Sequence, residues 1–299
     1  MAEGICVIGG GMMGMGILRG FAGHGIPLSL ITRDPSAPKP GLPEGTRLLA
    51  GFEGEAPALL IESVPEDMAV KRDVLARAEA AWGGKTLIAS NTSVLPLQEI
   101  ADGLAYPESF LGLHYMHPAD RWAYVEMIAA VQTDPAALEA VAALLARAGK
   151  TALRLMKPIP GALINRLQHA MAREAYHLMA EGVADAATID LVVRRMLAPR
   201  MSVTGLIEQK DLSGLVTHAA SQGGLNRHLH NGDTAQPFLV ALPARGETGA
   251  DSGLGFYDWR NTDPTAFREF AAGYVTRILA IVEEAEAERP GLAPAPRKH

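Results

Sequence analysis

Three glycines near the start of the chain have the spacing of a phosphate-binding turn. Gly9, Gly11 and Gly14 form the pattern G-x-G-x-x-G in the run VIGGGMMGMGIL, directly after a short apolar segment and at the start of a helical pattern. In that context the first glycine permits a tight turn, the second lets a pyrophosphate approach the backbone, and the third lets helix and strand pack closely. Met12 and Met13 lie in the same turn and are expected to line the site. The spacing predicts a dinucleotide site at the N-terminus of the first helix.

The end of the second apolar segment bears on which dinucleotide binds. An acidic residue about 20 positions after the glycines usually hydrogen-bonds the ribose hydroxyls of NAD, whereas this segment ends in Thr32 and Arg33. An arginine beside a hydroxyl binds a 2′-phosphate through charge-assisted hydrogen bonds. We therefore expect NADP, with NAD as the alternative. Asp34 and Ser36 keep that alternative open, because a one-residue shift of the strand end presents Asp34 to the ribose.

Strand and helix patterns alternate up to about residue 157. Strands are predicted at 4–9, 27–32, 46–51, 58–64, 85–90, 109–116, 124–130 and 151–156, and helices at 16–25, 65–82, 94–104 and 135–148. This order predicts an α/β fold of Rossmann type with a doubly wound, mostly parallel sheet. From Pro158 the apolar spacing becomes helical, as in 161–182 and 264–286. We expect a dinucleotide-binding domain over 1–157 and an all-α domain over 158–299, which ends in a loose tail from residue 293.

Composition narrows the class of partner. The formal charge is −6, and no run of lysine or arginine indicates a nucleic-acid surface. No stretch reaches the roughly 18 apolar residues of a membrane span, and the first residues lack the basic character of a signal peptide. The single cysteine, Cys6, lies in an apolar run and is expected to be buried. These features favour a cytoplasmic protein with a small-molecule partner.

Several separated segments occur in the order and at the spacing of one enzyme family. They are VIGGGMMGMGI, IESVPEDMAVK, LIASNTS, FLGLHYMHP followed by YVE, LINRL and DSGLGFYDW. In these segments the chain resembles the 3-hydroxyacyl-CoA dehydrogenase family over nearly its whole length. The resemblance implies a dehydrogenase acting on a CH–OH group, with a dinucleotide-binding domain and a helical domain that usually forms a homodimer.

The resemblance also implies roles for individual residues. In the family, the histidine of the GLH motif is the general acid/base and a glutamate twelve residues later is its partner, which correspond here to His114 and Glu126. Imidazole suits removal of a hydroxyl proton as hydride leaves the carbon, because histidine side chains titrate near neutral pH. Other family positions fall on Ser93 and Asn165 at the substrate oxygen and on Glu66 and Lys71 at the cofactor. We interpret Asn91 mainly as a structural turn residue near the nicotinamide.

Simpler interpretations of these residues stay open. Ser93 can cap a helix that begins near Val94, and Asn165 can make a hydrogen bond at a helix end. Glu66 and Lys71 can form a charge pair on a solvated helix face.

Two features depart from the acyl-CoA members of the family. Those members carry a helical hairpin between the second and third strands that grips CoA, whereas residues 35–45 here, PSAPKPGLPEG, are too few and too rich in proline for two helices. At HYMHP, where the family commonly has asparagine, His117 places a second imidazole near the site. Arg121 is a candidate for bidentate binding of a substrate carboxylate, with a rim arginine as the alternative.

The expected substrate is a small free 3-hydroxy acid, interconverted with its 3-keto form by NAD(P). The segment 165–193 also resembles the family branches of L-gulonate 3-dehydrogenase, lambda-crystallin and carnitine dehydrogenase. Three alternatives remain: a true 3-hydroxyacyl-CoA dehydrogenase, a reductase acting on a C=N bond, and a cofactor-binding protein without turnover. His218, His228 and His230 lack the spacing of a metal site, so no metal is expected.

Overall fold

The structure is a computed structural model that describes residues 3–290, so the predicted tail from residue 293 lies outside the described residues. Internal contacts divide the chain into two units, Met1–Gln168 and His169–His299. The domain boundary expected between residues 157 and 158 stays a prediction.

An eight-stranded sheet forms the centre of the first unit. Its strands are β1 (Ile5–Ile8), β2 (Leu28–Ile31), β3 (Arg47–Leu49), β4 (Leu59–Glu62), β5 (Leu87–Ser90), β6 (Phe110–His114), β7 (Tyr124–Ala129) and β8 (Thr151–Leu155). Their order across the sheet is β3-β2-β1-β4-β5-β6-β7-β8, and neighbouring strands are parallel except for β6 and β7. The expected doubly wound, mostly parallel sheet is confirmed.

Helices cover both faces of this sheet. They are α1 (Met12–Phe21), α2 (Met68–Trp82), α3 (Leu97–Ala101) and α4 (Pro135–Arg147). Phe21 of α1 and Leu145 of α4 belong to the apolar core on one face, while Trp82 of α2 and Ile100 of α3 belong to the core on the other. Strands β1, β4 and β6 are buried throughout, so that their sequences are mostly continuous apolar runs.

The first helix differs from its prediction. It begins at Met12 and ends at Phe21, whereas the sequence pattern indicated 16–25. Glycine has a low helix propensity, so the glycine-rich segment was not expected to be helical. The close packing of this segment against β1 outweighs the low propensity. By contrast, α4 follows its sequence signals: the Asp134 side chain accepts a hydrogen bond from the Ala136 amide at the N-terminus, and Gly149 adopts φ +67° beyond the C-terminus.

Parallel pairing brings the carboxyl ends of several strands to one edge. In register, Glu62 at the end of β4 pairs with Ile8 of β1 and Ser90 of β5, and Ser90 pairs with Gly112 of β6. The strand order reverses between β1 and β4, which is the position where open α/β sheets bind ligands. Cys6 of β1 is buried as expected, and burial raises the pKa of its thiol to about 12.

The second unit is helical. Helix α5 (Ala162–Ala180) begins in the first unit, and the following elements are α6 (Ala186–Val192), a π-helical turn (Val193–Leu197), α7 (Ala198–Thr204), α8 (Glu208–Ser213), α9 (Leu215–Leu225), α10 (Pro237–Ala244) and α11 (Pro264–Ala287). Tyr176 stacks on Phe256 with ring centroids 5.7 Å apart. Between Glu3 and Pro290, no helix has both the length and the apolar character needed to cross a membrane.

We predict that Gly14→Ala destabilises the first unit. A Cβ at Gly14 would lie 1.9 Å from the Gly9 carbonyl oxygen, so the backbone must shift. Overpacking of this kind costs about 1–3 kcal/mol. Thermal unfolding of Gly14→Ala and Gly51→Ala measures the effect, since a Cβ at Gly51 meets nothing within 4 Å. Equal melting temperatures for the two variants would contradict the packing role of Gly14.

Candidate active site

The glycine-rich turn separates into two kinds of glycine. Gly9 has φ +108°, and a Cβ there would lie 2.3 Å from the Ser63 carbonyl oxygen, so the protein itself requires glycine at this position, as it does at Gly14. A Cβ at Gly11 meets nothing within 4 Å. Because Gly11 precedes the first turn of α1, whose amides lack intrahelical partners, this open approach fits a dinucleotide pyrophosphate.

A cavity of about 1240 Å³ lies at the carboxyl edge of the sheet. It brings together most of the residues singled out from the sequence: Gly9, Gly11, Met12, Met13, Thr32, Arg33, Glu66, Asn91, Ser93, His114, His117 and Asn165. Gly14 and Glu126 lie behind this surface. The cavity therefore collects residues from the carboxyl ends of six strands, β1 to β6, and from the start of α5.

His114 and Glu126 form a buried pair at this edge. They face each other across the antiparallel β6 and β7, and His114 Nδ1 lies 2.7 Å from Glu126 Oε2. A carboxylate can only accept, so Nδ1 carries the hydrogen and Nε2 is the ring nitrogen left for a ligand. The carboxylate thus selects the tautomer and the ring orientation of His114.

The second oxygen of Glu126 holds the beginning of α5. Oε1 accepts hydrogen bonds from the backbone amides of Leu163 and Ile164, at 2.8 and 2.9 Å. The preceding Ala162 is buried and has φ +49°, a strained conformation for a residue with a side chain. Asn165 follows directly and lines the cavity. One carboxylate therefore positions both the imidazole and the helix that carries Asn165.

A second carboxylate organises the loop after β5. Glu66 Oε1 accepts hydrogen bonds from the Thr92 hydroxyl at 2.6 Å and from the amides of Ser93 and Val94 at 2.9 and 3.0 Å. Burial raises the pKa of Glu66, but these hydrogen bonds and the nearby Lys71 lower it by more than burial raises it, so that the pKa is about 2. Ser93 is consequently held at the cavity by Glu66. Its alternative role as a helix cap is not observed, because α3 begins at Leu97 after Pro96.

Lys71 does not reach the cavity, which corrects the expectation of direct cofactor contact. The side chain is fully buried, and its ammonium lies 2.7 Å from Glu62 Oε1 and 3.2 Å from Glu66 Oε2. Glu62 Oε2 also accepts a 2.6 Å hydrogen bond from the Ser90 hydroxyl. Sequence reasoning missed Glu62 and Ser90, although a glutamate that ends an apolar strand was an available signal.

Arg121 is exposed and does not line the cavity, which fits its alternative interpretation as a rim arginine. Its contact with a substrate carboxylate stays a prediction. His117 remains at the cavity. Asn91 has a structural contact as expected: its Oδ1 accepts from the Tyr115 amide at 3.0 Å and so joins the ends of β5 and β6.

Cations mark the part of the cavity next to β2. Arg33 lines it together with Lys39 and Arg77, neither of which was singled out from the sequence. Asp34 does not line the cavity. Among residues 3–290, no three His, Cys, Asp or Glu side chains are grouped as metal ligands.

A doubly wound sheet that carries a glycine-rich turn and an imidazole–carboxylate pair at one edge defines a dinucleotide-dependent dehydrogenase. The sequence matches 3-hydroxyacyl-CoA dehydrogenase, NAD binding domain, over residues 46–158, and 3-hydroxyacyl-CoA dehydrogenase, C-terminal domain, over residues 161–259. The chain belongs to the 3-hydroxyacyl-CoA dehydrogenase family and is an NAD(P)-dependent dehydrogenase that acts on a CH–OH group.

Individual relatives act on different molecules. The chain is 28% identical to 5-formyl-3-hydroxy-2-methylpyridine 4-carboxylate 5-dehydrogenase of Mesorhizobium japonicum, over 76% of this chain and 74% of the relative. It is 30% identical to the probable 3-hydroxybutyryl-CoA dehydrogenase of Bacillus subtilis, over 85% and 96%. Identity to L-carnitine dehydrogenase of Streptomyces griseus is 38%, over 48% and 43%.

One solved structure shares most of the fold. It is a 5-formyl-3-hydroxy-2-methylpyridine 4-carboxylic acid 5-dehydrogenase, described as an NAD+ dependent dismutase, with a TM-score of 0.85. Its sequence is 26% identical, and the similarity covers 95% of this chain and 99% of the other.

We predict a distinctive acid response for Glu66→Gln. Because the folded-state pKa of Glu66, about 2, lies below its ordinary value of 4.5, the charged group contributes stability above about pH 4.5 that is lost as the pH falls through about 2. The difference in unfolding free energy between wild type and Glu66→Gln should therefore shrink between about pH 6 and pH 3.

Urea unfolding at several pH values measures this difference. The matched control is Glu53→Gln, which removes an exposed carboxylate from the same unit and should run parallel to wild type. A constant difference between wild type and Glu66→Gln across the range would show that the Glu66 contacts do not depend on its charge.

Proposed function

We propose that this enzyme is an NADP-preferring dehydrogenase that interconverts a small free 3-hydroxy acid and its 3-keto form. The observation that carries the proposal is the buried His114–Glu126 pair, which lies at the same cavity as the open glycine turn. When bound, the nicotinamide cofactor accepts or supplies the hydride.

The proton is handled by His114. Its Nε2 accepts the hydroxyl proton during oxidation and returns it during reduction, since Nδ1 is occupied by Glu126. The Glu126 carboxylate, 2.7 Å away, stabilises the imidazolium that forms. Both oxygens of Glu126 are hydrogen-bonded, so the pair keeps its geometry as the ring gains and loses charge.

Ser93 and Asn165 orient the reacting oxygen. Ser93 is presented by the loop that Glu66 gathers, and Asn165 by the first turn of α5 that Glu126 holds. A hydroxyl and an amide can each donate a hydrogen bond to a carbonyl oxygen, in which charge builds up as hydride arrives. His117 lines the same cavity and adds a second imidazole.

The preference for NADP rests on the residues beside β2. Thr32 and Arg33 line the cavity, and Asp34 does not, so the group that would repel a 2′-phosphate is absent from the lining. The Arg33 guanidinium supplies donors in a fork geometry that suits a phosphate. Cofactor contacts through Glu66 and Asn91 are shared by both dinucleotides.

A free acid is favoured over a CoA thioester. Residues 32–46 are fully described and form turns without a helix, so the segment that would grip CoA in acyl-CoA members is missing here. In addition, the solved structure with a TM-score of 0.85 is a dehydrogenase of a small pyridine carboxylate.

That structural similarity also favours a second candidate, oxidation of an aldehyde group on an aromatic carboxylate. The hydrate of an aldehyde bears a hydroxyl group and a hydrogen on one carbon, so its oxidation requires the same proton and hydride removal as a secondary alcohol. The observation behind this candidate is the 0.85 TM-score over 95% of the chain.

We predict that free acids are better substrates than thioesters. Initial rates are measured with 3-hydroxybutyrate, L-carnitine, L-gulonate and 5-formyl-3-hydroxy-2-methylpyridine 4-carboxylate, and with 3-hydroxybutyryl-CoA. At least one of the three free hydroxy acids should exceed the thioester in kcat/KM. A thioester advantage of about tenfold, or about 1.4 kcal/mol in transition-state stabilisation, would overturn the proposal. Turnover of the aldehyde alone would select the second candidate.

Two variants check that the measured rates belong to this site. His114→Gln should lower kcat by about 10²–10⁴-fold, while dinucleotide binding by fluorescence stays unchanged. Glu126→Gln keeps an oxygen acceptor but removes the charge, so it should lower kcat less than His114→Gln does.

We also propose that the enzyme is a homodimer. In the single chain, the apolar stripe of α11 is exposed: Phe267, Phe270, Tyr274, Ile278 and Ile281 have between 47% and 64% of their surface accessible. Exposed apolar surface of this kind marks interaction sites. Light scattering should give twice the 31.7 kDa chain mass, and Phe270→Glu with Ile278→Glu should lower it toward one chain. A monomeric wild type would contradict the proposal.

A further inference from the structure

The segment after β2 contributes further polar residues to the cavity besides Arg33. Residues 32–39, TRDPSAPK, form a turn at the cavity wall, and Thr32, Arg33 and Lys39 from this segment line the cavity. The match to the NAD binding domain model begins at residue 46 and does not include this segment. Its specificity must therefore be argued from its own contacts.

Asp34 is used to build the turn. Its Oδ1 accepts hydrogen bonds from the Ser36 hydroxyl at 2.6 Å, the Ser36 amide at 3.0 Å and the Ala37 amide at 3.2 Å. Aspartate side chains commonly stabilise turns in this way. Oδ1 is therefore engaged within its own loop, and Asp34 is not part of the cavity lining.

The same turn directs Lys39 back to the cavity. The Lys39 ammonium donates a hydrogen bond to the Asp34 carbonyl oxygen at 3.1 Å. Its Cε lies 3.9 Å from the position of a Cβ built on Gly10, and the Thr32 hydroxyl oxygen lies 3.7 Å from that position. An ammonium-bearing chain and a hydroxyl thus converge beside the glycine-rich turn.

The charge around this point is positive. Arg33 and Arg77 also line the cavity, and the Arg77 guanidinium lies 5.6 Å from the centroid of the Phe52 ring, another lining residue. Among the cavity-lining residues of the described chain, Glu66 is the one carboxylate, and it is bound to the loop after β5. Two or more cations around a hydroxyl form a site for a dianionic phosphate.

We propose that residues 32–39 form a preassembled subsite for the 2′-phosphate of NADP, in which Lys39 is a specificity-determining residue and Asp34 shapes the turn rather than reading the ribose. This inference rests on the NADP preference proposed above. The inference adds Lys39 to Arg33 as a second cation at the 2′-phosphate. It also assigns a structural role to Asp34, the residue that left NAD open as the alternative cofactor.

The test is a fluorescence titration with NADPH and with NADH on wild type, Lys39→Met and the control Lys85→Met. Lys85 is exposed at the start of the segment leading to β5 and does not line the cavity. Loss of a charge-assisted contact should raise the Kd for NADPH by about tenfold or more in Lys39→Met. The Kd for NADH should stay within about twofold, and Lys85→Met should match wild type, because exposed charges away from the ligand contribute little.

Two further variants separate this inference from the NADP preference itself. One outcome is that wild type binds NADPH more tightly than NADH, and that Arg33→Ala removes this preference whereas Lys39→Met does not. In that case the proposed role of Lys39 is wrong, while the NADP preference stands. A wild type that prefers NADH overturns both. Asp34→Asn retains an oxygen that accepts from Ser36, so NADH affinity should be unchanged; a loss of NADH affinity would mean that Asp34 reads the ribose and would overturn the subsite.

Discussion

The active edge of this enzyme depends on one buried carboxylate. Glu126 receives hydrogen bonds from the His114 ring and from two backbone amides at the start of α5. Burying an unpaired carboxylate is very unfavourable, and these three donors offset that cost for Glu126. Because Glu126 and His114 are direct neighbours in the β6–β7 register, the sheet itself sets their geometry. A loop could not hold the imidazole with the same precision.

Glu66 is likewise a carboxylate whose position depends on buried partners. Lys71 lies between Glu62 and Glu66 without contact with solvent, and Glu62 also binds the Ser90 hydroxyl. Removing one partner of a buried ion pair typically costs about 3–5 kcal/mol, because the other charge is left uncompensated. The contacts of Lys71 with Glu62 and Glu66, together with the Glu62–Ser90 hydrogen bond, therefore connect the ends of β4 and β5 to the loop that carries Ser93. In both networks, a carboxylate gathers backbone amides and thereby positions a side chain at the cavity.

Local patterns were sufficient for most of the first unit. Strands β1, β4 and β6 are buried throughout, so each reads as an apolar run, and Asp134 marks the start of α4 as its side-chain cap requires. Errors arose where tertiary contacts outweigh local preference. Helix α1 contains glycines that disfavour helix but permit its close packing on β1. Lys71 reads as solvent-facing in an amphipathic helix, yet two carboxylates from elsewhere in the chain stabilise it in the interior.

The sequence by itself determined the class of fold, the position of the dinucleotide turn, the order of the family segments and the absence of room for a helical hairpin between β2 and β3. These properties depend on residue type and short-range spacing, which a linear sequence records. Only the tertiary structure decided which atoms meet: that Glu126 joins His114 to α5, that Asp34 closes its own turn, and that Lys39 reaches the cavity while Arg121 does not. Hydrogen bonds act over about 3 Å, and strand register and crossovers determine which distant residues come within that range.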